Sequence, residues 1–320
     1  MKPRIAIPLP HGGDSEYAQR AIPQYERAVE LSGAEPVRIP LDRTPAEVMK
    51  LIERCDAVLL PGSKADVDPA KFDAERHPLT EAADPKRDTV DELLLQDAYN
   101  MHKPVLGICY GLQILNVYRS GTLLQHIESA VNHEAGREVP VAHEVEIEEG
   151  SRLGDILSQR ADLVWGQPPS AVPRDGVREG FADTTSGKRR ASLDRTAEGG
   201  SPHIDSARGS DFLNIPVNSS HHQSADLIGD GLKIVARCPK DGVIEALEGT
   251  SPDHFVLAVQ WHPERSFDDD EHSKAIFRAL VEAAKKKHEE WAGEFEGQSN
   301  AGEGPVRLRS GQVRATRSNR

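Results

Sequence analysis

The sequence has few aromatic residues and no long apolar run. Aromatic side chains make up 5% of its 320 residues, and the apolar share is 37%. Runs such as residues 57–60 (AVLL), closed by Pro61, are far too short to span a bilayer. The first residues (MKPRIAIP) read as a strand and lack the charged and apolar parts of a secretion signal. We therefore expect neither a membrane protein nor a secreted one.

The sequence also lacks an excess of positive charge. Its 39 basic and 52 acidic residues give a formal net charge of -13, which repels phosphate backbones and makes nucleic-acid binding through the body of the protein unlikely. A local exception follows Glu303, where the chain carries arginines and no acid. We expect residues 288–320 to form a disordered basic tail, with a docking or nucleic-acid arm as the alternative.

Cysteine is scarce. Cys55, Cys109 and Cys238 are widely spaced and odd in number, so they form no disulfide framework, and no C-x-x-C pair offers a zinc site. This usage indicates a reducing, cytoplasmic setting. It also raises the question of which cysteine is reactive.

Strand-like and helix-like patterns alternate along the first half of the chain. Strands are predicted at residues 4–9, 36–40, 57–60 and 104–108, and helices at 16–32, 45–55 and 89–102. Further strands are predicted at 232–236, 243–247 and 255–260, with a closing helix at 272–287. This alternation indicates βαβ units and a mostly parallel sheet covered on both faces.

One internal segment breaks this pattern. Residues 166–211 are rich in Gly, Pro and Ser, and their large apolar residues show no periodicity. Such a segment buries too little surface to offset its ordering entropy, so we predict a disordered insertion. The remainder of residues 1–287 is predicted to form one α/β domain.

A cysteine lies where an apolar strand turns into a helix. In residues 105–111 (VLGICYG), Cys109 has a glycine two positions away on either side, which is the pattern of a nucleophile elbow. The glycines leave room for neighbouring backbone at a tight turn. The turn places the sulfur at a helix N-terminus, whose dipole favours the thiolate. A buried structural cysteine is the alternative interpretation.

A second apolar strand ends in a histidine and a glutamate. In residues 255–264 (FVLAVQWHPE), residues two apart face the same side of a strand, so Glu264 can orient the His262 ring. Cys109, His262 and Glu264 would supply nucleophile, base and orienting group at the carboxyl ends of strands, where open α/β sheets build their sites. An ordinary exposed strand end is the alternative for His262 and Glu264.

A third strand runs into the turn at residues 61–63 (PGS). A turn of this kind can direct backbone N–H groups at a developing oxyanion. We expect the N–H of Gly62 or Ser63 to act together with that of Tyr110.

These pieces together resemble the class I glutamine amidotransferase-like superfamily. Four further segments resemble motifs of its gamma-glutamyl-gamma-aminobutyrate hydrolase branch: 61–69 (PGSKADVDP), 87–92 (RDTVDE), 121–125 (GTLLQ) and 217–223 (VNSSHHQ). The resemblance implies a flavodoxin-like three-layer α/β/α sandwich with a Cys-His-Glu triad. It departs at Ser63, where the branch has a second glycine, and at Tyr110, where the branch has arginine and true amidotransferase domains more often have tyrosine.

The resemblance also implies the substrate and its contacts. Gln113 would hold the α-amino or α-carboxylate end of a γ-glutamyl group, and Ser220, His221 and His222 would line the same pocket. For the paired histidines we see no third ligand at a suitable spacing, so no metal is expected, and the chemistry needs no organic cofactor. The family suggests a homodimer.

The function expected is cysteine-dependent hydrolysis of a small γ-glutamyl amide through a thioester, releasing glutamate and an amine. A γ-glutamyl-γ-aminobutyrate from polyamine catabolism, another γ-glutamyl amine or a γ-glutamyl-tagged intermediate would all fit as substrate. One alternative is a glutaminase that passes ammonia to a synthase partner, which Tyr110 favours. The other is a catalytically silent binding protein on the same fold.

Overall fold

The computed structural model describes residues 2–158 and 212–300, with side chains through residue 292. The strands are β1 (Arg4–Pro8), β2 (Glu35–Ile39), β3 (Ala57–Leu60), β4 (Val105–Ile108), β5 (Leu123–Leu124), β6 (His143–Glu148), β7 (Phe212–Val217), β8 (Ser224–Ala225), β9 (Leu232–Arg237), β10 (Ile244–Gly249) and β11 (Val256–Val259). The helices are α1 (Ser15–Leu31), α2 (Pro45–Ile52), α3 (Pro85–Met101), α4 (Tyr110–Tyr118), α5 (Arg152–Leu157), α6 (Pro263–Ser266) and α7 (Glu271–Asn300), with a 3₁₀ turn at Pro69–Phe72. The predicted insertion at 166–211 lies outside the described residues.

The main sheet has the strand order β2-β1-β3-β4-β11-β10-β9-β6-β7. The five strands from β2 to β11 are parallel to one another, and the four from β10 to β7 continue the sheet in antiparallel fashion. Strands β5 and β8 form a separate antiparallel pair. The carboxyl ends of β3, β4 and β11 therefore meet at one edge, and this arrangement positions the site.

Helices cover both faces of the sheet. One core contains apolar side chains of α1, α5 and α7 together with alternate residues of the strands, such as Leu257 and Val259. The other contains side chains of α2, α3 and α4 together with the intervening residues, such as Val256 and Ala258. This alternation follows from the two-residue period of a strand. The three-layer α/β/α sandwich predicted from the sequence is confirmed.

Local signals set where the helices begin. Asp84 caps α3 by accepting hydrogen bonds from the N–H groups of Lys86 and Arg87, and Pro85 occupies the first turn. Helix α3 therefore begins before Thr89, the predicted start. In α1, Asp14 caps the helix, and Pro23 lies inside it without ending it.

Two features of the fold differ from expectation. The antiparallel strands β6 and β7 were not predicted, because their pairing joins residues that are far apart in the chain. Helix α7 reaches Asn300, so residues 288–300, the first part of the tail that we expected to be disordered, are helical. Two contacts hold this extension: His288 Nδ1 lies 2.9 Å from Asp56 Oδ1, and the Trp291 ring lies 5.4 Å from Lys103 Nζ. Within the described residues, no helix is long and apolar enough to cross a bilayer.

Candidate active site

Cys109 lies in the tight turn between β4 and α4 predicted from the sequence. It is the N-cap residue of α4 and adopts φ 53° and ψ −107°, a left-handed conformation that is strained for a residue with a side chain. A Cβ on Gly107 would lie 2.7 Å from the Gly111 carbonyl oxygen, and one on Gly111 would lie 2.1 Å from that of Leu60. Both glycines are therefore needed for the close approach of the backbone.

His262 and Glu264 form a buried pair beside this turn. The His262 Nδ1 atom lies 2.8 Å from Glu264 Oε1. The geometry differs from the predicted one, because β11 ends at Val259, His262 caps α6 and Glu264 lies in that short helix. The two side chains pair across a helix start and not along a strand.

Asn218, which lies in the 217–223 segment and had no role expected from the sequence, fixes the backbone of His262. Asn218 Nδ2 donates to the His262 carbonyl oxygen at 2.9 Å, and the His262 N–H donates to Asn218 Oδ1 at 3.0 Å. All these atoms are buried. Asn218 therefore joins the segment after β7 to the segment after β11 and positions the histidine.

The electrostatics favour a protonated histidine. Burial lowers the pKa of His262, but the Glu264 carboxylate and Cys109 oppose burial and raise this pKa to about 9. Burial would raise the pKa of Glu264, yet the neighbouring His262 holds it below its usual value. At neutral pH the pair is therefore an imidazolium and a carboxylate.

The turn after β3 approaches the same atoms. A Cβ on Gly62 would lie 3.0 Å from His262 Cε1 and 3.7 Å from Cys109 Cβ. The Gly62 N–H, however, donates to Tyr25 Oη at 3.1 Å and is engaged. Either Gly62 or Ser63 was expected to provide an oxyanion donor in this turn. Within the described part of the chain, the Ser63 N–H makes no such hydrogen bond, so Ser63 is the better candidate.

A buried arginine holds the turn in place. Arg87 donates to the carbonyl oxygen of Pro61 at 2.8 Å and to that of Pro10 at 3.1 Å. Its Nε lies 2.8 Å from both carboxylate oxygens of Asp91. The arginine of the predicted motif at 87–92 therefore supports the turn from behind and does not reach substrate space.

The Tyr110 side chain also faces the interior. Its hydroxyl donates to Asp88 Oδ1 at 2.6 Å, and its ring lies 5.0 Å from the Arg87 guanidinium carbon. The side chain is 1% exposed and does not line the cavity described next. Tyr110 can therefore contribute to the site only through its backbone.

A cavity of about 630 Å³ opens above Cys109 and His262. Gln113, Ser220, His221 and His222, the four residues expected to bind substrate, all line it. Gln113 Nε2 donates to the Gln223 carbonyl oxygen at 3.1 Å and lies 3.5 Å from Gln260 Oε1. Charged side chains of both signs complete the wall: Arg20, Lys64, Asp66, Glu81, Glu134, Arg137 and Arg265.

His222 belongs to a group that ties the cavity loops together. Its Nε2 lies 3.1 Å from Asp66 Oδ2, and this contact raises the pKa of His222. Gln223 Nε2 donates to the same carboxylate at 3.0 Å and to the Gln125 carbonyl oxygen at 3.1 Å. Three of the quoted motifs thus meet at Gln223, which bonds to Asp66 and to Gln125.

His221 has a different environment. Its Nε2 atom, with His133, His143 and Glu245, forms a buried group whose nitrogen and oxygen atoms lie within 4.8 Å of one another. The sequence shows no third ligand at a suitable spacing for the paired histidines, but the fold brings three ligand-type side chains next to His221. Sequence reasoning missed these partners because they lie in distant parts of the chain, and their positions do not show a spacing typical of metal ligands.

The other two cysteines do not reach the cavity. Burial raises the pKa of Cys55 to about 11 and that of Cys238 to about 11. Neither lines the space above His262. Cys109 is therefore the cysteine placed for chemistry.

Comparison with known proteins now decides the family. The profile described as peptidase C26 matches residues 9–164 and 203–264, more than half of the chain. The chain belongs to the peptidase C26 family. Its members share a class I glutamine amidotransferase-like fold, so the resemblance found in the sequence is confirmed at this level.

Individual relatives of this peptidase C26 chain carry two kinds of name. A provisionally named glutamine amidotransferase of Mycobacterium tuberculosis is 32% identical over 264 residues, covering 81% of this chain and 66% of the relative. The gamma-glutamyl-gamma-aminobutyrate hydrolase of Escherichia coli K12 is 25% identical over 270 residues, covering 81% and 84%. Among solved structures, a provisionally named GMP synthase component of Thermoplasma acidophilum aligns with a TM-score of 0.51 at 13% identity, over 91% of this chain and 98% of that one. This last likeness concerns the fold alone.

Proposed function

We propose that the protein is a cysteine-dependent hydrolase that cleaves the γ-glutamyl amide bond of a small γ-glutamyl amine. The observation that carries the proposal is the strained Cys109 turn beside the buried pair of His262 and Glu264. Family membership supports a hydrolase, and the named relatives at about 25% identity support the γ-glutamyl specificity.

The reaction starts from a resting pair in which His262 is an imidazolium and carries the proton given up by Cys109. The high pKa of His262, about 9, favours the imidazolium, and the resulting thiolate attacks the γ-carbonyl carbon. The imidazolium then gives its proton to the leaving amine as the C–N bond breaks. Water, deprotonated by the neutral His262, hydrolyses the γ-glutamyl thioester, and the departing Cys109 thiolate restores the resting pair with the imidazolium.

Two backbone donors are proposed to stabilise the oxyanion. The N–H of Tyr110 lies in the first turn of α4, and the Ser63 N–H follows the engaged Gly62. Removing one such donor typically costs about 2.7–4 kcal/mol of transition-state stabilisation. Arg87 maintains this geometry by holding the Pro61 carbonyl oxygen.

The charges of the cavity suit a zwitterionic glutamyl group. Among the described residues, Arg20 and Arg137 line the cavity without forming an ion pair, so either can bind the α-carboxylate. The Gln113 amide nitrogen is directed at Gln223 and Gln260, which leaves its Oε1 to accept a hydrogen bond from the α-ammonium. Ser220 and His222 also line the cavity.

Glutamate release from a panel of γ-glutamyl amines, with glutamine included, tests the proposal. We expect release from γ-glutamyl amines that is abolished in Cys109→Ala and retained in Cys238→Ala, the matched control at a cysteine outside the cavity. Release from glutamine alone would instead favour the glutaminase that several relatives' names suggest. Folded protein that releases glutamate from no substrate would overturn the hydrolase and favour a binding protein.

A further inference from the structure

Four buried side chains converge on one point beside the cavity wall. His133 follows β5, His143 begins β6, His221 lies between β7 and β8, and Glu245 belongs to β10. Their residues are 3%, 5%, 4% and 0% exposed. Three imidazoles and one carboxylate are thus buried away from water, and their polar atoms need partners.

The spacing of the converging atoms fits a metal ion. Glu245 Oε1 lies 3.4 Å from His133 Nδ1, 3.4 Å from His143 Nε2 and 3.8 Å from His221 Nε2. Two ligand atoms bound to zinc at its usual distances and a tetrahedral angle are about 3.3 Å apart. The three separations from Glu245 Oε1 are therefore close to those of a bound set. All four ligand atoms lie within 4.8 Å of one another, so inward movement of the side chains would complete the set.

In each of the three histidines, the hydrogen bond made by the outer ring nitrogen determines whether the inner ring nitrogen carries a proton or a lone pair. Each histidine has an oxygen acceptor on its other ring nitrogen: Asp241 Oδ2 at 2.8 Å from His133 Nε2, the Glu144 carbonyl at 3.2 Å from His143 Nδ1 and the Gln223 carbonyl at 2.9 Å from His221 Nδ1. The outward nitrogens are the donors in these bonds. The inward nitrogens of neutral rings therefore carry lone pairs, as in metal-binding histidines with hydrogen-bonded outer nitrogens.

The inward-facing atoms have no hydrogen-bond partner. Within the described part of the chain, His133 Nδ1, His143 Nε2, His221 Nε2 and both carboxylate oxygens of Glu245 are buried and make no hydrogen bond. Three lone pairs and a carboxylate facing one another repel unless a cation lies between them or one ring takes up a proton. Buried groups of this kind require an explanation, and a shared cation satisfies all of them at once.

We propose that His133, His143, His221 and Glu245 bind one zinc ion. Three imidazole nitrogens and one carboxylate oxygen form a tetrahedral set typical of zinc, whereas magnesium and calcium prefer all-oxygen sites. All four positions come from protein and are closed to solvent, so the site is structural. It is separate from Cys109 and does not depend on the proposed hydrolysis.

The site connects the sheet to the cavity wall. Glu245 lies in the main sheet, while His221 lies between Ser220 and His222, which both line the cavity. A zinc ion would fasten this loop to the sheet. Its removal is therefore expected to lower thermal stability and to loosen the substrate wall.

Metal analysis of the full chain, free of any affinity tag, is the first measurement. Protein prepared with zinc present should contain one zinc per chain after dialysis. Stripping with a strong chelator should lower Tm, and adding zinc back should raise Tm by roughly 8–16 °C at free zinc about 1,000-fold above Kd. Cobalt in place of zinc should give the visible absorption of a tetrahedral ion.

Three variants separate this site from adventitious binding. Glu245→Gln should abolish the zinc-dependent rise in Tm, while its metal-free form should be at least as stable as metal-free parent, because an amide can donate to an imidazole lone pair. Asp241→Asn, which removes only the outer partner of His133, should weaken zinc binding by roughly 10–100-fold. His272→Gln, at an exposed histidine outside the group, should bind zinc as the parent does.

Two results would overturn the proposal. One is parent protein that carries no zinc and whose Tm does not respond to zinc, which would mean that the group shares protons instead. The other is an equal zinc response in the parent and in Glu245→Gln, which would place the binding elsewhere.

Discussion

Replacing Glu264 with glutamine tests whether His262 is held as an imidazolium. The His262 Nδ1 atom lies 2.8 Å from the Glu264 carboxylate, and both side chains are buried. Burial lowers the pKa of His262, and Glu264 is the stronger of the two groups that raise it to about 9. In Glu264→Gln burial remains without the carboxylate, so the pKa of His262 should fall from about 9 toward its ordinary value.

The sign and size of the effect on folding stability follow from the linkage between folding and proton binding by His262. The pKa of His262 rises from 6.5 in the unfolded chain to about 9 in the folded one. At 1.36 kcal/mol per unit, this shift corresponds to about 3 kcal/mol of folding free energy. Because the folded pKa is raised, the contribution is complete below the unfolded value of 6.5 and is lost as pH rises through about 9.

Urea unfolding of the parent and of Glu264→Gln measures this contribution. Between about pH 6 and about pH 10, the unfolding free energy of the parent relative to the variant should fall by up to about 3 kcal/mol, because Cys109 supplies the part of the shift that Glu264 does not. Taking the difference between the two proteins cancels the contributions of lysines and tyrosines, which titrate in both. Glu282→Gln, at an exposed ion pair, should match the pH dependence of the parent. A difference between parent and Glu264→Gln that does not change with pH would refute the reasoning.

Three further substitutions test the supports of the site. Asn218→Ala removes both hydrogen bonds to the backbone of His262, the proposed general base, and should lower kcat by roughly 10–100-fold in a glutamate-release assay, with KM little changed. Gly111→Ala places a Cβ 2.1 Å from the Leu60 carbonyl oxygen and should destabilise the protein by roughly 1–3 kcal/mol in urea. Arg87→Met leaves the Asp91 carboxylate buried without its partner and should destabilise by roughly 3–5 kcal/mol.

Each of these substitutions has a matched control. Asn214→Ala, at an exposed position in β7, should leave kcat unchanged. Gly13→Ala adds a Cβ with ordinary contacts and should change stability by less than about 0.5 kcal/mol. Arg27→Met breaks an exposed pair with Asp268 and should change it by at most about 1 kcal/mol. Equal effects in a variant and its control would contradict the role assigned to that residue.

The parts of the fold that could be predicted depend on local patterns. The apolar runs that became β3 and β4, and the glycines around Cys109, specify short strands and a tight turn without reference to distant residues. Placing the carboxyl ends of these strands at one edge then follows from parallel pairing. The nucleophile turn was therefore found from local patterns, whereas Gln113, Ser220, His221 and His222 were expected at the cavity only because of the family resemblance.

The remaining parts depend on contacts between distant residues. The pairing of His262 with Glu264 was predicted from a strand period, but a helix start produces it. The group around Glu245 comes from four separate segments, so no spacing of ligand residues along the sequence indicates it. The helical extension past Lys287 is held by Asp56 and Lys103, which lie in other parts of the chain. Tertiary packing decides such features, and a single sequence does not display it.

Trapping the acyl intermediate tests the central claim most directly. The protein is mixed with a γ-glutamyl amide, quenched in acid during turnover, and analysed by intact-mass and peptide mass spectrometry. The account predicts a γ-glutamyl adduct on Cys109 in the parent and in Cys238→Ala, and none in Cys109→Ala. Undiminished turnover by Cys109→Ala, or an adduct on another residue, would contradict it.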